Sequence, residues 1–206
     1  ILGCTLTAAL ALTACGRSDS GSGSSSPQET QHAAWRTGLG ILTEASDQER
    51  TGKISTIAAA VLLDADGRVA DVMLDEAEIS VSADSTGKVT MPSDFRTKRQ
   101  KGSDYPLAAV SSLKKGWVEQ ADAFGRYLVG KTPDEVKKLS TDDHGKSTDA
   151  DLLSACTIAV DGYRDAVVRA CESAETLGAA QGDRAVLGAA VRSDTKDLAA
   201  DDDHDV

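Results

Sequence analysis

Ile54-Ser55-Thr56-Ile57-Ala58-Ala59-Ala60-Val61-Leu62-Leu63, then Asp64-Ala65-Asp66-Gly67, then Val69-Ala70-Asp71-Val72-Met73-Leu74-Asp75-Glu76-Ala77-Glu78-Ile79: the chain places an apolar run, a turn and a partly alternating run in succession. The first run is the right length for a buried strand. The Asp/Gly cluster is a turn signal, and the second run returns at the period of a half-buried strand. Together they predict an antiparallel hairpin. Ser85-Thr86-Gly87-Lys88 marks a further turn, between short strands expected around Ile79–Val81 and Lys88–Met91.

Downstream the period changes. Leu107, Val110, Leu113, Trp117, Ala121, Phe124 and Leu128 recur at three- and four-residue steps, which predicts a long helix over Pro106–Val129. Pro106 suits its first turn and Gly130 its C-terminal end. Thr132-Pro133-Asp134-Glu135 carries the signature of a capped N-terminus and predicts a short helix. Thr148-Asp149-Ala150-Asp151 predicts another capped turn. Tyr163, Ala166, Val167, Ala170 and Cys171 place a helical stripe on Asp161–Ala174. The expected fold is α+β, a small antiparallel sheet packed by one long and one or two shorter helices.

The flanks differ in kind. Residues 1–14 are uncharged and mostly apolar, too short for a bilayer span of about 20 residues but suited to a signal-peptide core of roughly 7–15. They end in Leu12-Thr13-Ala14-Cys15, a lipobox pattern that makes Cys15 the expected lipidation site. Cys4 is the alternative acceptor, but apolar residues continue beyond it. With no initiator Met and no basic segment ahead, the sequence is expected to begin inside the signal. Residues 15–33, rich in Gly and Ser, read as a flexible tether. Residues 34–176 form the expected domain. Residues 177–206 are read as a linker or the start of a truncated second repeat, because Val186-Leu187-Gly188-Ala189-Ala190-Val191-Arg192-Ser193-Asp194 resembles Gly38-Leu39-Gly40-Ile41-Leu42-Thr43-Glu44-Ala45-Ser46-Asp47. An extracytoplasmic protein anchored to the membrane by lipid follows from this layout.

Composition narrows the chemistry. The net charge of −11 argues against nucleic acid, whose phosphates need basic patches. Arg96, Lys98, Arg99 and Lys101 form one basic run, expected as a solvated loop, with an anion or phosphate contact as the alternative. Asp75, Glu76 and Glu78 cluster on a strand whose alternation turns them outward as readily as into a site. His32, His144 and His204 fall in linker, loop and tail, so no zinc site or catalytic triad is suggested. Cys156 and Cys171 would be about 22 Å apart on one helix. A disulfide would therefore require Cys156 on a preceding strand; buried free thiols are the plainer expectation.

The segments Val61–Val72, Gly116-Trp117-Val118-Glu119-Gln120 and Val129-Gly130-Lys131-Thr132-Pro133-Asp134-Glu135-Val136 resemble the membrane-anchored "major membrane immunogen" lipoproteins, which are similar to FMN-binding domains. The resemblance implies a flavoprotein that carries electrons at the cell surface and is not an enzyme by itself. Its partners would be a flavin transferase and a redox protein. In flavinylated relatives, FMN is joined to a threonine in the motif Asp-x-x-Ser/Thr-Gly-Ala-Thr/Ser. Here Asp151, Ser154 and Thr157 match, while Ala155 replaces the glycine and Cys156 the alanine. The resemblance thus implies FMN, covalent on Thr157 or bound non-covalently, with Trp117, Tyr105 and Phe124 as candidate stacking residues. A cofactor-free surface module for ligand binding or structure is the alternative, and a buried strand over Leu152–Val160 is the plain structural reading of the same segment.

Overall fold

A computed structural model describes residues 34–192, Gly87 excepted. Four strands, β1 (Arg36–Gln48), β2 (Thr51–Leu63), β3 (Val69–Ala83) and β4 (Val89–Thr90), form an antiparallel sheet in sequential order. The helices α1 (Lys98–Lys101), α2 (Leu107–Val110), α3 (Trp117–Leu128), α4 (Pro133–Lys137), α5 (Ala150–Leu153) and α6 (Asp161–Glu172) follow it. The α+β expectation holds, and so does the hairpin: Ile54 pairs with Ile79 and Val61 with Val72. Its turn is built by Asp64, whose Oδ1 accepts from the amides of Asp66 and Arg68 at 3.0 and 2.8 Å. Asp84 and Asp142 do the same for Thr86 and Lys88 and for His144 and Lys146. One Asp-x-x-Gly-basic turn is thus used three times.

The sheet is two-faced because side chains alternate along a strand. Ile57, Ala59, Val61 and Leu63 of β2 point inward and are buried with Phe124 and Leu128 of α3 and Ala166, Val167 and Ala170 of α6. Helix α6 lies close to β1 because both surfaces are small. A Cβ on Gly38 or Gly40 would overlap the carbonyl oxygens of Ala170 and Ala166, respectively. On the opposite face Leu39, Ile41 and Ile54 are half exposed. Part of that face is crossed by residues 184–191, fastened by Arg184 to Asp71 at 2.7 Å and by the Gln100 amide to the Ala189 carbonyl at 2.7 Å. Residues 177–192, including the described part of the repeat-like stretch, contain neither helix nor strand.

Three expectations are corrected, and one strand carries no signal in the sequence. The strand β1 was not anticipated: its inward positions include glycines 38 and 40, which carry no apolar pattern. The long helix is two helices, interrupted at Ser111–Gly116, where Lys114 has φ of 54°. Buried Gln120 reaches back across the break, donating to Ser111 Oγ at 3.0 Å and to the Lys115 carbonyl at 2.9 Å. Val110 is accordingly 80% exposed, off the stripe it was assigned to. The basic run 96–101 is no solvated loop: Thr97 and Gln100 form a reciprocal cap and Lys98 is buried. Lastly, Leu152–Val160 is not a strand but the end of α5 and a connecting loop. The short helices at Thr132 and Asp149 are capped as expected. Cys156 and Cys171 are both buried free thiols.

Candidate functional site

The inward face of β3 carries Leu74, then Glu76 and Glu78. Two residues apart on one strand, the carboxylates point the same way, beyond the end of the apolar core. Helix α1 delivers Lys98 to them: its ammonium lies 2.8 Å from Glu76 Oε2 and 3.2 Å from Glu78 Oε2. Lys53, from β2, reaches Glu78 at 2.8 Å. Ser55 donates to Glu76 Oε1 at 2.5 Å. From α6, the Tyr163 hydroxyl donates to Glu76 Oε2. From the first turn of α3, Trp117 Nε1 donates to the Tyr163 oxygen at 3.0 Å. Every fully buried polar side-chain atom of this cluster therefore has a partner, as burial demands.

The charges hold one another. Burial alone would pull the Lys98 ammonium below its ordinary range, but the charge and hydrogen bond of Glu76, with the charge of Glu78, raise it instead. Burial likewise works against an ionised Glu78, yet Lys53 and Lys98 keep its carboxyl below the usual carboxylate value. Burial, then the charge and hydrogen bond of Glu76, push the Tyr163 phenol well above its normal value, so it is a neutral donor.

Above this cluster opens a cavity of about 680 Å³, in the range of small-molecule sites. Its walls come from β1–β3, from α3 and α6, and from Tyr105 and Leu107. Tyr105, Trp117 and Tyr163 all line it, three of the seven aromatic residues in the chain. Trp117 and Tyr163 lie with ring centroids 5.9 Å apart and planes tilted by 59°, and the Lys98 ammonium sits 5.1 Å from the Tyr105 ring centre. A chain so poor in aromatics concentrates them here. Phe124, the third stacking candidate, is wholly buried and absent from the lining.

The three motif residues are arranged differently. Asp151 lies exposed on α5, and Ser154 donates to the Asp151 carbonyl at 2.7 Å. Thr157 is half-buried in the loop ahead of α6, where its amide and hydroxyl both donate to Gln120 Oε1, at 2.8 and 3.1 Å. Asp151 and Ser154 thus meet each other through a local bond, whereas Thr157 is held by α3. Ile158 and Ala159, next in sequence, line the cavity. Ala155 is not among the residues with positive φ, so the departure from glycine demands no left-handed backbone. Cys156 is packed into the core, and burial pushes its thiol up to about 11. Cys15 lies outside the described residues.

Sequence reasoning missed Lys98, Glu76 and Tyr163 as a unit. The available signal was the pairing of one acidic cluster, Asp75-Glu76 with Glu78, against one basic run, Arg96–Lys101, in a single domain. Each was noted, but nothing in the sequence joined them. Among the described residues no group of His, Cys, Asp and Glu could hold a metal ion, and no helix is long and apolar enough to cross a membrane. Comparison with family models, with curated proteins and with solved structures finds no match.

Proposed function

We propose that this chain is a lipid-anchored extracytoplasmic protein, tethered through Cys15, whose α+β domain carries FMN as an electron carrier. The observation that supports it most is the aromatic-walled cavity, one side of which is formed by the residues directly following Thr157. A cavity of this volume, with Tyr105, Trp117 and Tyr163 in its lining, suits a planar ring system, which aromatic side chains hold by offset or edge contacts. A bound flavin would supply the redox chemistry; the protein supplies position and electrostatics.

In that reading Tyr105, Trp117 and Tyr163 orient the ring. Lys98 and Glu76 fix the Tyr163 hydroxyl as a donor, and Gln120 fixes the Thr157 hydroxyl as the attachment point. A flavin transferase would load the protein, and a separate redox partner would exchange electrons with it. The test is intact mass and visible absorbance after co-expression with a flavin transferase. Flavin-sized added mass that disappears in Thr157→Ala supports covalent FMN. A colourless, unmodified protein that also fails to bind added FMN would overturn the flavin reading.

A second reading, a cofactor-free ligand-binding module at the membrane surface, draws on a specific observation. The Thr157 hydroxyl is engaged by Gln120, while Asp151 and Ser154 are bonded to each other and not to it. In this reading the cavity takes a planar small molecule reversibly and Thr157 remains unmodified.

A further inference from the structure

The charges around the cavity are unequal. Glu44, Glu76, Glu78 and Asp161 line it, against only Lys53 and Lys98. Both ammonium groups are committed: Lys98 bridges Glu76 and Glu78, and Lys53 pairs with Glu78. The Arg99 guanidinium lies 5.8 Å from the Trp117 ring centre but is bonded to Asp122 at 2.8 Å and to the Leu74 carbonyl at 2.8 Å. Glu44 and Asp161 are left as carboxylates in excess over the cations of the lining.

One feature that would ordinarily receive an anion is already taken. Helix α6 starts at the cavity wall, and helix N-termini attract negative groups. Its first residue is Asp161, whose own Oδ1 accepts from the Gly162 amide at 2.9 Å. A phosphate entering there would meet a carboxylate where it would otherwise meet free N–H groups.

We propose that this cavity admits a planar ring system that is uncharged or cationic, and keeps phosphate and other anionic groups outside. The inference rests on the flavin reading above and deepens it: the ring of the ligand enters, while its phosphate stays outside with Thr157, which is not part of the lining. Like-charge repulsion inside a cleft with low-dielectric walls is stronger than in water, so the exclusion acts as a filter on ligand class.

The test compares riboflavin, which is neutral, with FMN, whose phosphate carries roughly −1.5 to −2 at pH 7. Each is titrated into the full, unflavinylated chain and followed by flavin fluorescence. Riboflavin is expected to bind about tenfold more tightly than FMN at low salt. The gap should close between about 0.01 M and about 1 M salt, as the Debye length falls from roughly 30 to 3 Å. Glu44→Gln combined with Asp161→Asn should narrow the gap at low salt, chiefly by improving FMN. FMN binding as tightly as riboflavin, or a preference for riboflavin indifferent to salt, would overturn the exclusion and leave the flavin reading standing. Binding of neither would overturn this inference, while the flavin reading would still be decided by added mass after co-expression with the transferase. The wild-type comparison requires no variant to fold.

Discussion

Lys98 Nζ lies 2.8 Å from Glu76 Oε2, and both side chains are almost wholly withdrawn from water. The pair joins the helical layer to β3 and sets the charge at the base of the cavity. Removing one partner leaves the other charge buried and uncompensated, which costs about 3–5 kcal/mol. Lys98→Met is therefore expected to lower the unfolding free energy by about 3 kcal/mol. Adding Glu76→Gln should recover part of that loss. Urea unfolding of the two variants checks both statements; an additive double variant would show that the residues do not interact.

The same cluster sets a pH response. Lys98 and Tyr163 have folded values raised above their ordinary 10.5 and 10.0. Their contribution is fully present below those values and is lost as pH rises toward the raised ones. Glu78 is depressed from 4.5, so its contribution is present above 4.5 and is lost as pH falls through the lowered value. Stability from this cluster should be level between these limits. Tyr163→Phe should flatten the alkaline fall without changing the acid limb. Chemical unfolding at a series of pH values measures both limbs.

Gly40 faces the Ala166 carbonyl so closely that a methyl group has no room. Gly40→Ala must push α6 away from β1 and is expected to cost about 1–3 kcal/mol, the usual penalty of overpacking. A fall in thermal midpoint checks it. Gly52→Ala, at a position with nothing within 4 Å of the added atom, is the control and should change little.

Cys156 and Cys171 are buried, and burial pushes each thiol up to about 11. Neither should react with a thiol reagent in the native state near pH 8, because the thiolate is scarce and shielded. In a Cys4→Ser, Cys15→Ser background both should react in denaturant. Fast native labelling of either would contradict their place in the core.

Much of the fold was legible because its signals are local. The Ile54–Ile79 hairpin announces itself through two apolar runs and an Asp/Gly turn, and Thr132-Pro133-Asp134-Glu135 closes its cap on its own backbone. Asp151, Ser154 and Thr157 were readable as a linear motif, yet only the fold separates Thr157 from the other two by tying it to Gln120. The break at Ser111–Gly116 was hidden because the three- and four-residue apolar spacing runs through it. Strand β1 was hidden because it contributes glycines where a pattern would show side chains.

From the sequence alone came the α+β class, the central hairpin, the capped helices and the expectation of a lipid-bearing Cys15. These depend on short-range periodicity and turn chemistry, which neighbouring residues determine among themselves. Only the tertiary structure decided that Glu76, Lys98, Trp117 and Tyr163 form one buried network under one cavity. Charges and rings separated by tens of residues have no mutual signature in a linear chain. They meet because the sheet's inward face must be covered, and the helices that cover it bring their polar ends to the same place.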